Sequence, residues 1–199
     1  MKTIPYILIG IRFFLAPIII LLSYLKGAES RFIILTLMYI GLFTDIFDGI
    51  IARKVGVSSE KLRRLDSQVD LVFWLSIGFA AYFLNPTLIK DEWQNILLIF
   101  TMEALCYIIS WIKFGKETCT HAWFSKLWGL SLLLAFTYLI GFQTTGWAFD
   151  LTIILGFISH LDVILIILIL PKWNYDVPSF FHAWKIRNGI QRKKTTFFN

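Results

Sequence analysis

Residues 32–53 read FIILTLMYIGLFTDIFDGIIAR, and residues 66–84 read DSQVDLVFWLSIGFAAYFL. These two stretches decide the fold. The first holds a run of twenty residues, 32–51, in which Asp45 and Asp48 are the only charges. About twenty helical residues cross a hydrocarbon layer of ~30 Å. Lipid offers no partner to free backbone N–H and C=O groups, so such a run is helical rather than extended. Acidic side chains inside such a helix are costly and mark function. The second stretch repeats the pattern in reverse, with Asp66 and Asp70 at its start and an apolar run behind them.

Outward from this pair, similar runs recur at 6–25, 94–112, 123–142 and 151–170, separated by short polar connectors. The expected fold is an all-α integral membrane protein with six transmembrane helices over residues 1–170. A basic cytoplasmic tail, 171–199, follows. The chain has 199 residues, 57% of them hydrophobic and 16% charged, and its mean hydropathy is +0.71. That balance excludes a disordered chain, a coiled coil and a small disulfide-stapled module. The two cysteines, Cys106 and Cys119, are too few for a disulfide framework, and Cys106 reads as a small core residue.

The formal net charge is +6. In so apolar a chain this points to an anionic membrane surface and not to nucleic acid. With the N-terminus in the cytoplasm, fifteen Lys and Arg residues fall on the inside. The outside loops hold three, Lys26, Arg31 and Lys90. The bias places both termini on the cytoplasmic side. Arg12 interrupts the first run. This predicts that residues 1–12 lie along the interface and that the span starts near Phe13, with Pro17 allowing a bend; the other reading is a snorkelling arginine in one tilted helix. In the tail, Phe180, Phe181, Trp184 and Ile186 beside Lys185 and Arg187 suit a short helix on an anionic membrane face, or a lid.

Asp45 and Asp48 are spaced i, i+3, and Asp66 and Asp70 are spaced i, i+4, so each pair shares one helix face. Helices joined by a short loop pack antiparallel, which brings all four acids to one end. Four bare carboxylates repel one another. A hard divalent cation resolves the repulsion, and oxygen-only ligation suits Mg²⁺, Mn²⁺ or Ca²⁺. Four acids have room for two ions about 4 Å apart, an arrangement used in phosphoryl chemistry. Arg53 and the basic loop supply charge for phosphates, and Gly49 leaves space for a ligand to approach. The plain structural reading is two salt-bridged helix ends, with the acids paired to Arg53, Arg63 or Arg64.

The pattern Asp45-x2-Asp48-Gly49-x2-Ala52-Arg53 … Asp66-x3-Asp70 resembles the signature of the CDP-alcohol phosphotransferase (CDP-alcohol phosphatidyltransferase) family, D-x2-D-G-x2-A-R followed by G-x3-D-x3-D. Pro5, Leu8 and Arg12 are similar to a second, N-terminal pattern of that family, whereas Tyr6 and Ile9 depart from it. The resemblance implies transfer of a phosphatidyl or phospho-alcohol group from a CDP-linked donor, such as CDP-diacylglycerol, to an alcohol, with release of CMP, in phospholipid biosynthesis. It implies metal ligation by Asp45, Asp48, Asp66 and Asp70, with Asp70 also the catalytic base. Gly49, Ala52 and Arg53 would contact the CDP part. Two Mg²⁺ or Mn²⁺ ions, membrane lipid as environment and donor, and a homodimer are implied with it, at an active site facing the cytoplasm of the cell inner membrane. One family position departs: a glycine four residues before Asp66 is here Leu62. Leu62, Arg63, Arg64, Lys113 and Lys116 are the pocket-lining candidates. Two other readings stand beside the enzyme, a cation-coupled transporter using the same acids and a catalytically silent relative.

Other polar residues lie within the spans. Glu103 either lines a polar cavity or pairs with a neighbour. His160 and Asp162 share the sixth run, where Asp162 reads as a hydrogen-bonded structural acid. Cys119-Thr120-His121 has poor spacing for a metal site and reads as loop.

Overall fold

The computed structural model describes residues 3–57, 59–118, 120 and 122–190. Cys119, His121 and the tail beyond residue 190 lie outside the described residues, and the expectations placed on them go no further. Every regular element among the described residues is helical. The helices are α1 (Ile4–Lys26), α2 (Arg31–Val55), α3 (Glu60–Leu84), α4 (Pro86–Asp91), α5 (Trp93–Phe114), α6 (Trp123–Phe136), α7 (Gly146–Ile169) and α8 (Phe180–Arg187). A 3₁₀ turn, Gly27–Ser30, joins α1 to α2, and α6 runs on as a π-helical turn, Thr137–Phe142.

Five continuous helical stretches are long and apolar enough to cross a membrane: Ile4–Val55, Glu60–Leu84, Trp93–Phe114, Trp123–Phe142 and Gly146–Ile169. The expected spans 6–25 and 32–51 both fall in the first, one in α1 and one in α2. Large apolar side chains such as Phe14, Phe32 and Ile112 stand exposed along these helices. A water-soluble surface does not carry apolar area on this scale. The chain is an all-α integral membrane protein.

The chain forms two compact units, Met1–Asp91 with Leu133–Gly146, and Glu92–Leu132 with Trp147–Asn199. In the first unit, α1 packs along both α2 and α3, which touch each other directly at few points. The buried residues of α1 are Pro5, Ile9, Arg12, Ala16, Ile19 and Ser23. Steps of four and three make them one stripe down a helix face. The core below the acids gathers Ile19, Ile34, Met38, Phe73, Ile77, Ala80, Ala81, Leu139 and Ile140. Gly41 of α2 lies against the Phe73 ring, where no Cβ would fit.

The turn from α2 to α3 is locally encoded. Gly56 takes the left-handed conformation at φ 70°, and the N–H groups of Gly56 and Val57 close on the carbonyls of Arg53 and Ala52. This is a Schellman arrangement, and Val57 supplies its usual apolar contact. Ser59 then caps α3, its hydroxyl accepting from the Leu62 N–H at 3.2 Å. At the other end of this unit, Arg31 donates to the carbonyls of Leu84 and Ile140, and Asn85 donates to that of Leu139. These side chains satisfy carbonyls that the ends of α3 and the π turn leave open.

In the second unit, Cys106, Ala122, Val163, Ile166, Ile167, Leu170, Val177 and Ala183 form the core. Residues 171–190 are therefore tied down. The Trp123 N–H donates to Pro178, Trp173 Nε1 donates to the Glu117 carbonyl at 2.8 Å, and Asp162 accepts from the Phe180 N–H at the start of α8. The Phe180, Phe181 and Trp184 side chains of α8 stay exposed.

Candidate active site

The site is built in the first unit, where the last turns of α2 meet the first turns of α3 with α1 alongside. Helical spacing puts Asp45, Asp48, Gly49 and Ala52 near the end of α2, and Asp66 and Asp70 near the start of α3. Arg12 projects from the buried stripe of α1 and reaches all four acids. Its Nη1 donates to Asp45 Oδ1 at 2.8 Å and to Asp70. Its Nη2 donates to Asp66 Oδ1 at 3.0 Å and to Asp48. Arg12 is 1% exposed.

The structure adds α1 to the site. α1 is unbroken from Ile4 through Pro17 to Lys26. Arg12 is paired inside, with the four acids. The acids of α2 and α3 meet at one end of the two helices. They converge around a residue of α1, because α1 is the helix that both contact. An arginine recurring in register with Pro5, Ile9, Ala16 and Ile19 is the sequence signal for this role, since a cation on the apolar face needs anionic partners.

The four carboxylates fall into an inner and an outer pair. The side chains of Asp48 and Asp66 are 3% and 6% exposed, and those of Asp45 and Asp70 are 36% and 28% exposed. Carboxylate oxygens of Asp45, Asp48 and Asp66 all lie within 4.8 Å of one another, close enough to share a metal ion; Asp70 stands outside that trio. The donor set is oxygen only, which suits a hard cation. Arg63, also buried, adds a second positive group, its Nη1 lying 3.9 Å from Asp66 Oδ2. Carboxylates gathered this closely repel one another, and positive charge beside them offsets the repulsion.

The remaining candidates divide. A Cβ at Gly49 would meet only the Arg53 guanidinium, at 3.5 Å and beyond, so Gly49 and Arg53 lie together on one side of α2. Ala52 is buried against Leu62, Ile9 and Val69. Leu62 is 2% exposed, and its side chain is part of that apolar packing. Arg64 is half-buried on α3. Lys113 and Lys116 belong to the second unit. There the Lys113 ammonium donates to the carbonyls of Ile167 and Leu168 at 2.9 and 2.7 Å, closing the end of α7, and Lys116 lies over the Trp173 ring at 4.8 Å.

The acids beyond the motif have their own partners. Glu103 Oε2 meets His160 Nε2 at 2.6 Å, and His160 Nδ1 meets the Gly156 carbonyl at 2.5 Å. A carbonyl only accepts, so Nδ1 is the donor to Gly156 and Nε2 faces the Glu103 carboxyl group. Asp162 Oδ1 accepts from the Phe180 N–H at 2.9 Å.

Comparison with curated proteins and with solved structures finds no match. The CDP-alcohol phosphatidyltransferase family model matches residues 2–170, most of the chain, and the matched region contains Arg12 and all four acids. An acid cluster able to hold a metal, set at the ends of two apolar helices, is what phosphoryl transfer to or from a lipid needs. The chain belongs to the CDP-alcohol phosphatidyltransferase family, whose members transfer a phospho-alcohol group from a CDP-alcohol.

Proposed function

We propose that this protein transfers a phosphatidyl or phospho-alcohol group from a CDP-linked donor, with CDP-diacylglycerol the favoured one, to the hydroxyl of a small alcohol, releasing CMP. The observation that carries the reading is the convergence of Asp45, Asp48, Asp66 and Asp70 on one buried cation. Carboxylates gathered in an apolar setting require positive charge beside them, and an oxygen-only cluster suits a divalent metal.

In this reading Asp45, Asp48 and Asp66 hold Mg²⁺ or Mn²⁺, two ions in the full site, and Asp70 completes the shell. The ions supply charge neutralisation of the donor pyrophosphate. Gly49 gives the CDP part close access to the α2 backbone, and Arg53, beside it, faces phosphate oxygens. Asp70, in the outer pair, is open to an incoming alcohol. It accepts the hydroxyl proton as the alcohol oxygen bonds to the phosphorus next to the diacylglycerol and the bond to CMP breaks. Arg63 and Arg64 supply further positive charge near the donor. The 15:3 bias of basic residues supports a cytoplasmic placement of this end of the protein and of both termini.

The test is direct. Purified protein is incubated with CDP-diacylglycerol and a panel of acceptors (glycerol phosphate, serine, inositol phosphate, choline and ethanolamine), and CMP and lipid products are measured with and without chelator. The expected result is CMP release with one acceptor, abolished by EDTA and restored by Mg²⁺ or Mn²⁺. Full turnover in excess chelator would remove the metal from the reading. No CMP with any acceptor or CDP-alcohol donor would favour a silent relative.

A further inference from the structure

We infer that Arg12 is a built-in competitor for the metal site: its guanidinium and a divalent ion claim the same carboxylates, and loading the ion displaces it. The inference rests on the metal reading above. Each of the four acids gives one oxygen to Arg12, and these include Asp45, Asp48 and Asp66, the trio able to share an ion. Both Nη atoms are spent on them, two acids each. A planar guanidinium at the centre of the cluster occupies one oxygen of each acid and the space between them, and a divalent ion placed among the same carboxylates would repel it strongly at short range.

The guanidinium also carries a cost where it sits. Arg12 Nε is buried and has no hydrogen-bond partner. An unspent donor in a buried site favours a second position in which it is satisfied. A donor pyrophosphate offers such acceptors, and Arg forks match phosphate oxygens well. Arg12 thus holds the acids together while no ion is bound, and on loading it becomes available to the anionic substrate. Ion and CDP donor should therefore bind better together than apart.

The experiment is Mn²⁺ titration of the detergent-solubilised full-length protein, read by the loss of free-ion EPR signal, for wild type, Arg12→Gln and Arg12→Lys. Arg12→Gln should tighten Mn²⁺ at least tenfold. Arg12→Lys, which keeps one charge but cannot bridge four acids, should tighten it by a smaller factor and guards against loss of fold in the first variant. Peptide-resolved phenylglyoxal labelling provides a wild-type measurement: Arg12 should be shielded in chelator and become reactive when Mn²⁺ is added. Equal or weaker Mn²⁺ binding in the variants, or labelling of Arg12 that does not rise with Mn²⁺, overturns the competition while leaving the metal site standing. No Mn²⁺ binding by any of the proteins overturns the metal reading and this inference together.

Discussion

Gly41 and Gly49 lie two turns apart on α2, and the same substitution at each should move stability in opposite directions. At Gly41 an alanine Cβ would sit 2.2 Å from Phe73 Cζ and within 2.8 Å of both Cε atoms. Phe73 is fully buried among Met38, Ile77 and the rest of the core, so the ring has nowhere to go. Overpacking of this kind costs about 1–3 kcal/mol, and so close an approach belongs at the upper end. Alanine recovers about 0.5–1 kcal/mol of helix propensity, leaving a net loss of about 2 kcal/mol. For a chain of this size that is a fall of about 4–8 °C in the melting temperature. At Gly49 the nearest atom is the flexible Arg53 Nη1 at 3.5 Å, an ordinary contact. Only the propensity gain remains, so Gly49→Ala should hold or raise the melting temperature by a few degrees. Its KM for the CDP donor should nevertheless rise, because the new methyl stands where the donor approaches the helix. Tryptophan fluorescence during thermal unfolding in detergent, with CMP release on the same preparations, separates the two effects. Equal destabilisation by both substitutions, or a neutral Gly41→Ala, would refute the packing argument. An unchanged donor KM in Gly49→Ala would refute the role given to Gly49.

Other outcomes follow from the same geometry. Asp48→Asn removes charge from the buried inner pair, so metal affinity and turnover should fall together. Asp70→Asn should keep metal and CDP binding while turnover drops sharply; near-normal turnover would exclude Asp70 as the base. Leu62→Gly removes a side chain packed on Ile9, Ala52 and Val69. A buried leucine truncated to alanine already loses about 2–5 kcal/mol, so a clear fall in melting temperature is expected, well beyond the helix-propensity term alone. A stable Leu62→Gly with an altered acceptor profile would instead show that this side chain faces substrate. For topology, a cysteine at Thr144 should react with an impermeant maleimide added to intact cells, and one at Lys54 should react only after lysis; the reverse pattern would overturn the cytoplasmic placement.

Much of this protein is decided along the chain. Span length follows from runs of apolar residues set against a fixed hydrocarbon thickness, and helicity follows because lipid cannot satisfy an open backbone. The spacing of Asp45 with Asp48, and of Asp66 with Asp70, sets each pair on one face through the helical repeat alone. Gly56, Val57 and Ser59 end one helix and start the next by local hydrogen bonds. These features depend on neighbours within a few residues, so the sequence displays them directly. Which helix lies beside which is another matter. Chain order makes α2 and α3 look like partners, yet α1 packs along both. That choice depends on how complete side-chain surfaces fit together, the stripe of Pro5, Ile9, Ala16 and Ile19 on α1 among them. It moves Arg12 from an apparent misfit in a membrane span to the centre of the acid cluster. It also buries Leu62 against Ile9 of α1. In the second unit, packing gives Lys113 to the end of α7 and Glu103 to His160. A buried charge must find its counter-charge wherever the fold brings one within reach. Its partner was therefore fixed by tertiary packing, at separations of 33 to 58 residues for Arg12, which no local pattern encodes.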